Sequence, residues 1–197
     1  MKYKEPGWSG KPWPQYAGEV HAMIELFQRE GVRSYLEVGC RYGDTFHTVG
    51  LALPEGSRLV AVDLPGAYSS DKRPGGRRRH QDSGVYLERA AKHLTKHGRP
   101  STVIIGNSQH AGTVAKVQAL APFDAAFIDG DHALDGVTAD WRNYGPMARI
   151  VAFHDIVGEK SASYGPRRLF TELAATHRHH TIACGAASCG IGIIWRE

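Results

Sequence analysis

One stretch limits the fold of this chain more than any other. Ser34-Tyr35-Leu36-Glu37-Val38 is an apolar run of strand length that stops at Gly39. Cys40, Arg41, Tyr42 and Gly43 follow, and Asp44 or Thr45, both suited to capping, opens a helix. A second apolar run, Arg58-Leu59-Val60-Ala61-Val62, then ends on Asp63. A strand, a turn with spaced glycines, a helix and a second strand closed by an acid make up the first half of a doubly wound sheet. Such a unit places a nucleoside pocket at the strand ends.

The turn narrows the choice of nucleoside. A dinucleotide fingerprint needs a second glycine two residues after the first, so that backbone approaches the pyrophosphate. Arg41 occupies that position. Glu37, just before the turn, would repel phosphate but suits a ligand with a positive end. S-adenosylmethionine carries an ammonium and a sulfonium. Asp63 suits either ligand, because a carboxylate there accepts both ribose hydroxyls.

Downstream, apolar runs alternate with helical patterns. Strands are expected at 102–105, 125–128, 150–153, 180–184 and 191–195. Helices are expected at 16–30, 84–97, 111–120, 133–144 and 166–176. The pattern predicts an α/β fold: a doubly wound, mainly parallel, Rossmann-like sheet of seven strands with an antiparallel hairpin at one edge. Residues 1–30 read as an N-terminal arm and helix, and 31–197 as the ligand-binding domain. Pro6, Gly7, Gly10, Pro12 and Pro14 break the arm, and Trp8, Trp13 and Tyr16 give it an aromatic load suited to a lid or a dimer contact.

With 197 residues and 42% hydrophobic content the chain has room for one full core. Its net charge of +4 gathers largely in one loop, Lys72, Arg73, Arg77, Arg78 and Arg79. Aromatic residues are not interleaved there as a stacking surface for bases requires, so nucleic acid is disfavoured as a partner. An anionic small molecule is the expected partner if the loop contributes. Cys40, Cys184 and Cys189 lack metal-finger spacing and fit a reducing compartment. No stretch has the apolar length of a signal or membrane helix, so a cytoplasmic protein without a membrane partner is expected.

The ends of the first five predicted strands are polar. They are Glu37 and Gly39, Asp63, Asn107 and Ser108, Asp129 to His132, and His154 with Asp155. In such sheets ligands bind beyond these ends, so five polar ends point to one cleft. Asp131 is expected to cap the next helix, Asp140 to pair or face solvent, and Trp141 to pack in the core. His93 and His97, at i and i+4, permit metal binding but are common by chance. His177, His179 and His180 follow a helix end, where imidazoles suit the dipole.

These residues resemble a known family. Glu-x-Gly-x-x-x-Gly from Glu37 to Gly43, the strand-ending Asp63, Ile128-Asp129-Gly130-Asp131-His132 before a helix with Asp140 and Trp141, and Phe153-His154-Asp155 are similar to class I S-adenosylmethionine-dependent methyltransferases. The likeness runs over roughly 30–157. It is nearest to a small bacterial subfamily with Asp-Gly-Asp-His after strand four, related to catechol-type and macrolide-sugar O-methyltransferases.

The resemblance implies roles by position. Glu37, Gly39, Cys40 and Gly43 would line the methionine end of the cofactor. Asp63 would hold the ribose, with Leu64, Asn107 and Ser108 near the adenine. Asp129 would face the sulfonium and the acceptor. Metal-using members bind Mg²⁺ where this chain has Asp129 and His154-Asp155. Magnesium prefers oxygen ligands, so His154 leaves three options open: magnesium, a divalent metal that tolerates imidazole, or no metal with His132 or His154 as base. The expected activity is O-methylation of a small-molecule hydroxyl. Nucleic-acid methylation, a nicotinamide-dependent oxidoreductase and a non-catalytic nucleoside-binding module are the alternatives, and a homo-oligomer is compatible.

Overall fold

The strand–turn–strand unit forms the middle of a seven-stranded sheet. The computed structural model describes residues 7–11, 13, 15–64, 83–157, 164–184 and 188–196. The Arg-rich loop lies outside the described residues, as does the segment just beyond Val157.

The described elements are, in order, α1 (Ala17–Arg29), β1 (Ser34–Val38), α2 (Asp44–Ala52), β2 (Arg58–Asp63), α3 (Ser83–Lys96), β3 (Ser101–Ile105), α4 (Ala111–Gln118), β4 (Phe123–Ile128), α5 (Leu134–Tyr144), β5 (Ala148–His154), α6 (Tyr164–Ala174), β6 (His179–Ile182) and β7 (Ile191–Trp195). The sheet order is β3-β2-β1-β4-β5-β7-β6. Neighbouring strands run parallel except that β7 is antiparallel to both β5 and β6. The mainly parallel sheet with an antiparallel edge pair is therefore as expected.

The central strands are buried on both faces, and their side chains divide between two cores. Tyr35, Phe127, Ile150 and Ala152 join Phe27 of α1, Phe46 of α2 and Leu87 of α3. Leu36, Ala126, Val151 and Phe153 join Val117 of α4, Val137 of α5 and Leu169 of α6. That split follows from the period of two in a strand. Val20, Met23, Ile24 and Phe27 form the buried stripe of α1, and Gly31 at φ +68° stops it.

Two expectations are corrected here. Gly43, not an acidic side chain, sits at the N-cap of α2 at φ +78°. The Asp44 carboxylate is instead taken by the arm: Ser9 donates from its backbone N–H at 2.8 Å and from its hydroxyl at 2.9 Å. His179 and His180 belong to edge strand β6 rather than to a helix end, and only His177 reaches a helix-terminal carbonyl, that of Leu173, at 3.0 Å.

The turn after β1 has little steric freedom. Gly39 has φ +91°, and a Cβ there would lie 2.4 Å from the Asp129 carbonyl oxygen. Gly39→Ala is expected to cost about 1–3 kcal/mol from backbone strain alone, with the clash added. Urea unfolding reads it, and an unchanged midpoint would contradict this turn.

Candidate active site

Register brings the polar ends of the strands together. Val38 pairs with Val62 on one side and Ile128 on the other, and Ile128 pairs with Phe153. Gly39, Asp63, Asp129 and His154 therefore stand in a row, one residue beyond. The Asp129 N–H donates to the Val38 carbonyl at 2.8 Å, which ties β4 to the glycine turn.

At the β2 end, Asp63 receives hydrogen bonds from the backbone N–H groups of Leu64 and Arg41. Its Oδ2 is buried with no partner among the described residues. Burial raises its pKa to about 6 against those N–H groups. Leu64 beside it is exposed. At the β3 end Asn107 is exposed, its Oδ1 accepting from the Gln109 N–H at 2.9 Å. Half-buried Ser108 offers its carbonyl to the Tyr144 hydroxyl at 2.6 Å.

Glu37 is not the free strand-end charge read from the sequence. It is 1% exposed, and the Tyr35 hydroxyl donates to its Oε2 at 2.7 Å. Burial, against that hydrogen bond and reinforced by the negative charge of Asp129, raises the carboxyl to about 8. Glu37 is thus mostly a neutral acid at pH 7. The Cys40 thiol is turned into the backbone, 3.4 Å from the Glu37 carbonyl and 3.6 Å from that of Val62.

The β4 and β5 ends bring two carboxylates and two imidazoles into one cluster. His132 Nδ1 lies 3.1 Å from Asp155 Oδ2, and its Nε2 lies 3.4 Å from Asp129 Oδ1. His154 Nδ1 lies between the same two acids, 3.3 Å from Asp129 Oδ1 and 3.4 Å from Asp155 Oδ1. Burial opposes charge on both rings, but the paired carboxylates outweigh it and both imidazoles sit above their ordinary pKa. Burial likewise works against the charge on Asp129, and the two histidines overcome it, holding that carboxyl well below its usual range. Asp155 has φ +60°, a left-handed conformation uncommon outside glycine that aims its carboxylate at both rings.

His132 and His154 differ in access. The His132 side chain is 31% exposed and that of His154 is 6% exposed. His154 Nε2 is buried without a partner among the described residues. Asp129, His154 and Asp155 each offer one ligand atom, all within 4.8 Å of one another.

Flanking residues divide between support and surprise. Asp131 accepts from the Ala133 N–H at 2.9 Å, but Ala133 holds the N-cap of α5 with no side-chain cap bond, so Asp131 braces the turn before the helix rather than capping it as expected. Trp141 packs against the second core, 5.7 Å from the Phe153 ring. Asp140 is corrected: it forms no ion pair among the described residues and does not face solvent but is fully buried, and burial raises its carboxyl to about 6 against the Ser108 side chain and the Asp131 backbone N–H. His93 meets His47 rather than standing alone with His97, with His47 Nε2 2.9 Å from His93 Nδ1.

Three site residues escaped the sequence reading. Gln15 of the arm donates from Nε2 to Asp129 Oδ2 at 2.6 Å across 114 positions of chain. Cys189 hydrogen-bonds the Asp155 carboxyl from the turn before β7. Tyr35 holds Glu37. Only Tyr35 left a signal, two residues before the acid on one face of a strand.

Comparison with known proteins places this geometry. A family model described as a methyltransferase domain matches residues 36–156, more than half of the chain. No curated protein matches the sequence. An O-methyltransferase from Bacillus cereus, solved with S-adenosylhomocysteine, superposes with a TM-score of 0.65 at 17% identity, covering 92% of this chain and 82% of that one. The O-methyltransferase TomG from Streptomyces achromogenes, involved in tomaymycin synthesis and solved with S-adenosylmethionine, gives 0.64 at 16% identity, covering 91% and 80%. The calicheamicin methyltransferase CalS11 gives 0.64 at 15% identity, covering 88% and 77%. These likenesses carry the fold, and the family match carries the class: the chain belongs to the methyltransferase-domain family and is an S-adenosylmethionine-dependent methyltransferase.

Proposed function

We propose that the protein O-methylates a hydroxyl of a small molecule, with Asp129, His132, His154 and Asp155 as the transfer site. The observation that carries this reading is the four-residue cluster at the β4 and β5 ends, in register with Gly39 and Asp63. Membership in a methyltransferase family removes hydride transfer from the alternatives.

The residues present fit the cofactor. The buried, unpartnered Asp63 Oδ2 is the atom a ribose hydroxyl requires, and exposed Leu64 suits an adenine face. Asn107 and Ser108 flank the same end. Gly39, Cys40 and Gly43 offer turn backbone to the methionine end, with Glu37 beneath it. When bound, S-adenosylmethionine supplies a methyl already activated by its sulfonium. The protein then has to align the acceptor oxygen and remove its proton.

His132 suits the second task. Asp155 holds its Nδ1, so Nε2 faces Asp129 and the open side of the cluster. His154, buried between both acids, positions Asp129 and Asp155 rather than meeting the acceptor. Asp129, His154 and Asp155 also fit a divalent ion, which would add Lewis acidity at the acceptor oxygen. One imidazole with two carboxylates favours a transition ion over magnesium, which prefers oxygen alone.

The described arm residues, 7–11, 13, 15 and 16, run from α2 to Asp129, and we assign the arm the covering role, with 31–197 as the catalytic domain. Ser9 binds Asp44, the Trp13 indole N–H donates to the Thr45 hydroxyl at 3.1 Å, and Trp8 stacks on His47 with ring centres 4.5 Å apart. Among the described residues no helix is long and apolar enough to cross a membrane.

Calorimetric titration with S-adenosylmethionine and S-adenosylhomocysteine, each with and without Mg²⁺ or Mn²⁺, tests the reading. Saturable binding of both is expected, followed by methyl transfer to a hydroxyl compound in an acceptor screen. Transfer to RNA or DNA instead of small hydroxyl compounds would overturn the acceptor class.

A further inference from the structure

We infer that Gln15 is a cofactor-binding residue supplied by the N-terminal arm, its side-chain oxygen accepting a hydrogen bond from the methionyl ammonium. The inference rests on the methyltransferase pocket proposed above and adds a residue to it from outside the 36–156 family match.

The orientation of the amide follows from chemistry. An ionised carboxylate only accepts, so the Gln15 group 2.6 Å from Asp129 Oδ2 is the NH₂. Oε1 then points the other way. Gln15 is 7% exposed, and Oε1 is buried with no partner among the described residues. A buried amide oxygen without a donor is costly, about as much as a lost hydrogen bond, and calls for an explanation. A donor arriving with the ligand provides one.

Position selects the donor. Gln15 is fastened to Asp129, and the Asp129 carbonyl is the wall against which the Gly39 turn packs. The glycine turn and the amide thus share one locus, the methionine end of the pocket. The carboxylates of Asp129 and Asp63 stand on either side of that locus, a setting that draws a cation rather than a neutral hydroxyl. A charged donor also makes the stronger bond to a carbonyl oxygen. Three independent arm contacts, Ser9 to Asp44, Trp13 to Thr45 and Trp8 to His47, hold Gln15 in place.

The test compares two ligands on three proteins. S-adenosylhomocysteine carries the ammonium, whereas 5′-methylthioadenosine keeps the nucleoside and thioether without it. Gln15→Met preserves length and packing while removing the amide. It is expected to weaken S-adenosylhomocysteine about 10- to 100-fold and 5′-methylthioadenosine less than about twofold. Trp13→Phe removes the indole N–H but leaves Ser9 and Trp8 to hold the arm and Gln15 in place, and is expected to leave both ligands within about threefold of wild type. An unchanged S-adenosylhomocysteine affinity in Gln15→Met overturns the inference. So does equal weakening of both ligands, or an effect of Trp13→Phe as large as that of Gln15→Met. If the wild-type protein binds neither ligand, the proposed pocket itself fails and this inference falls with it; binding by wild type with no Gln15 effect removes the inference alone.

Discussion

Changing His132 to alanine is expected to lower methyl-transfer turnover by about 10²–10⁴-fold, the usual contribution of a positioned general base, while S-adenosylhomocysteine affinity stays within about twofold. The separation follows from geometry. His132 is on the acceptor side of Asp129, and the nucleoside residues Asp63 and Leu64 stand at the end of β2, on the far side of β1. Its ring is the more exposed of the two imidazoles in the cluster; Asp155 fixes Nδ1, and Nε2, 3.4 Å from Asp129 Oδ1, takes the proton when the ring is in its neutral form. His154→Ala should behave differently. That ring is buried between two carboxylates, and losing it leaves Asp129 and Asp155 close together with His132 alone to compensate both. A lower unfolding midpoint is expected in addition to lost activity. Single-turnover rates with a hydroxyl acceptor from the screen, set beside urea unfolding of each variant, separate the two roles. Turnover of His132→Ala within a few-fold of wild type would move the base elsewhere and leave His132 as a helix-start hydrogen-bonding residue.

The fold was legible because its signals are local. The run 34–38 and the runs at β2, β4 and β5 are mainly apolar, as strands buried on both faces are, and glycine, an acid or a histidine ends them. The half of the site built from strand ends was legible for the same reason: once the sheet is parallel, Gly39, Asp63, Asp129 and His154 must come together. What stayed hidden depends on contacts between distant segments. Nothing around Gln15 indicates that it meets Asp129, because the path of the arm is set by Ser9, Trp13 and Trp8 meeting α2. The ionisation of Glu37 was hidden too, since charge depends on burial and on the Tyr35 hydroxyl. Asp140 reads as a surface acid within a polar stretch of helix, yet α5 turns it fully inward.

Asp63→Ala is expected to reduce S-adenosylhomocysteine affinity by about 100-fold or more, since two hydrogen bonds to a charged group contribute roughly 1.5–3 kcal/mol each. The same carboxylate predicts a pH dependence. Its pKa is about 6, raised by burial, and the ribose hydroxyls need the ionised form as acceptor. Affinity should therefore be flat above about pH 7 and fall as pH drops through about 6, approaching tenfold per unit below it. Asp63→Asn should lose most of the affinity and that pH dependence with it. Stability runs the other way. The folded pKa lies above the unfolded value, so the contribution of this group is full below the unfolded pKa of 3.8 and is lost as pH rises through about 6. Asp63→Asn should then be at least as stable as wild type at pH 8, where the native acid is ionised in a largely buried site. Urea unfolding at pH 5 and pH 8, paired with titrations of S-adenosylhomocysteine at both, reads the two effects from one pair of proteins. A variant that is less stable at pH 8 and still binds would assign Asp63 to the architecture of β2. A variant that is as stable or more so and fails to bind assigns it to the ligand.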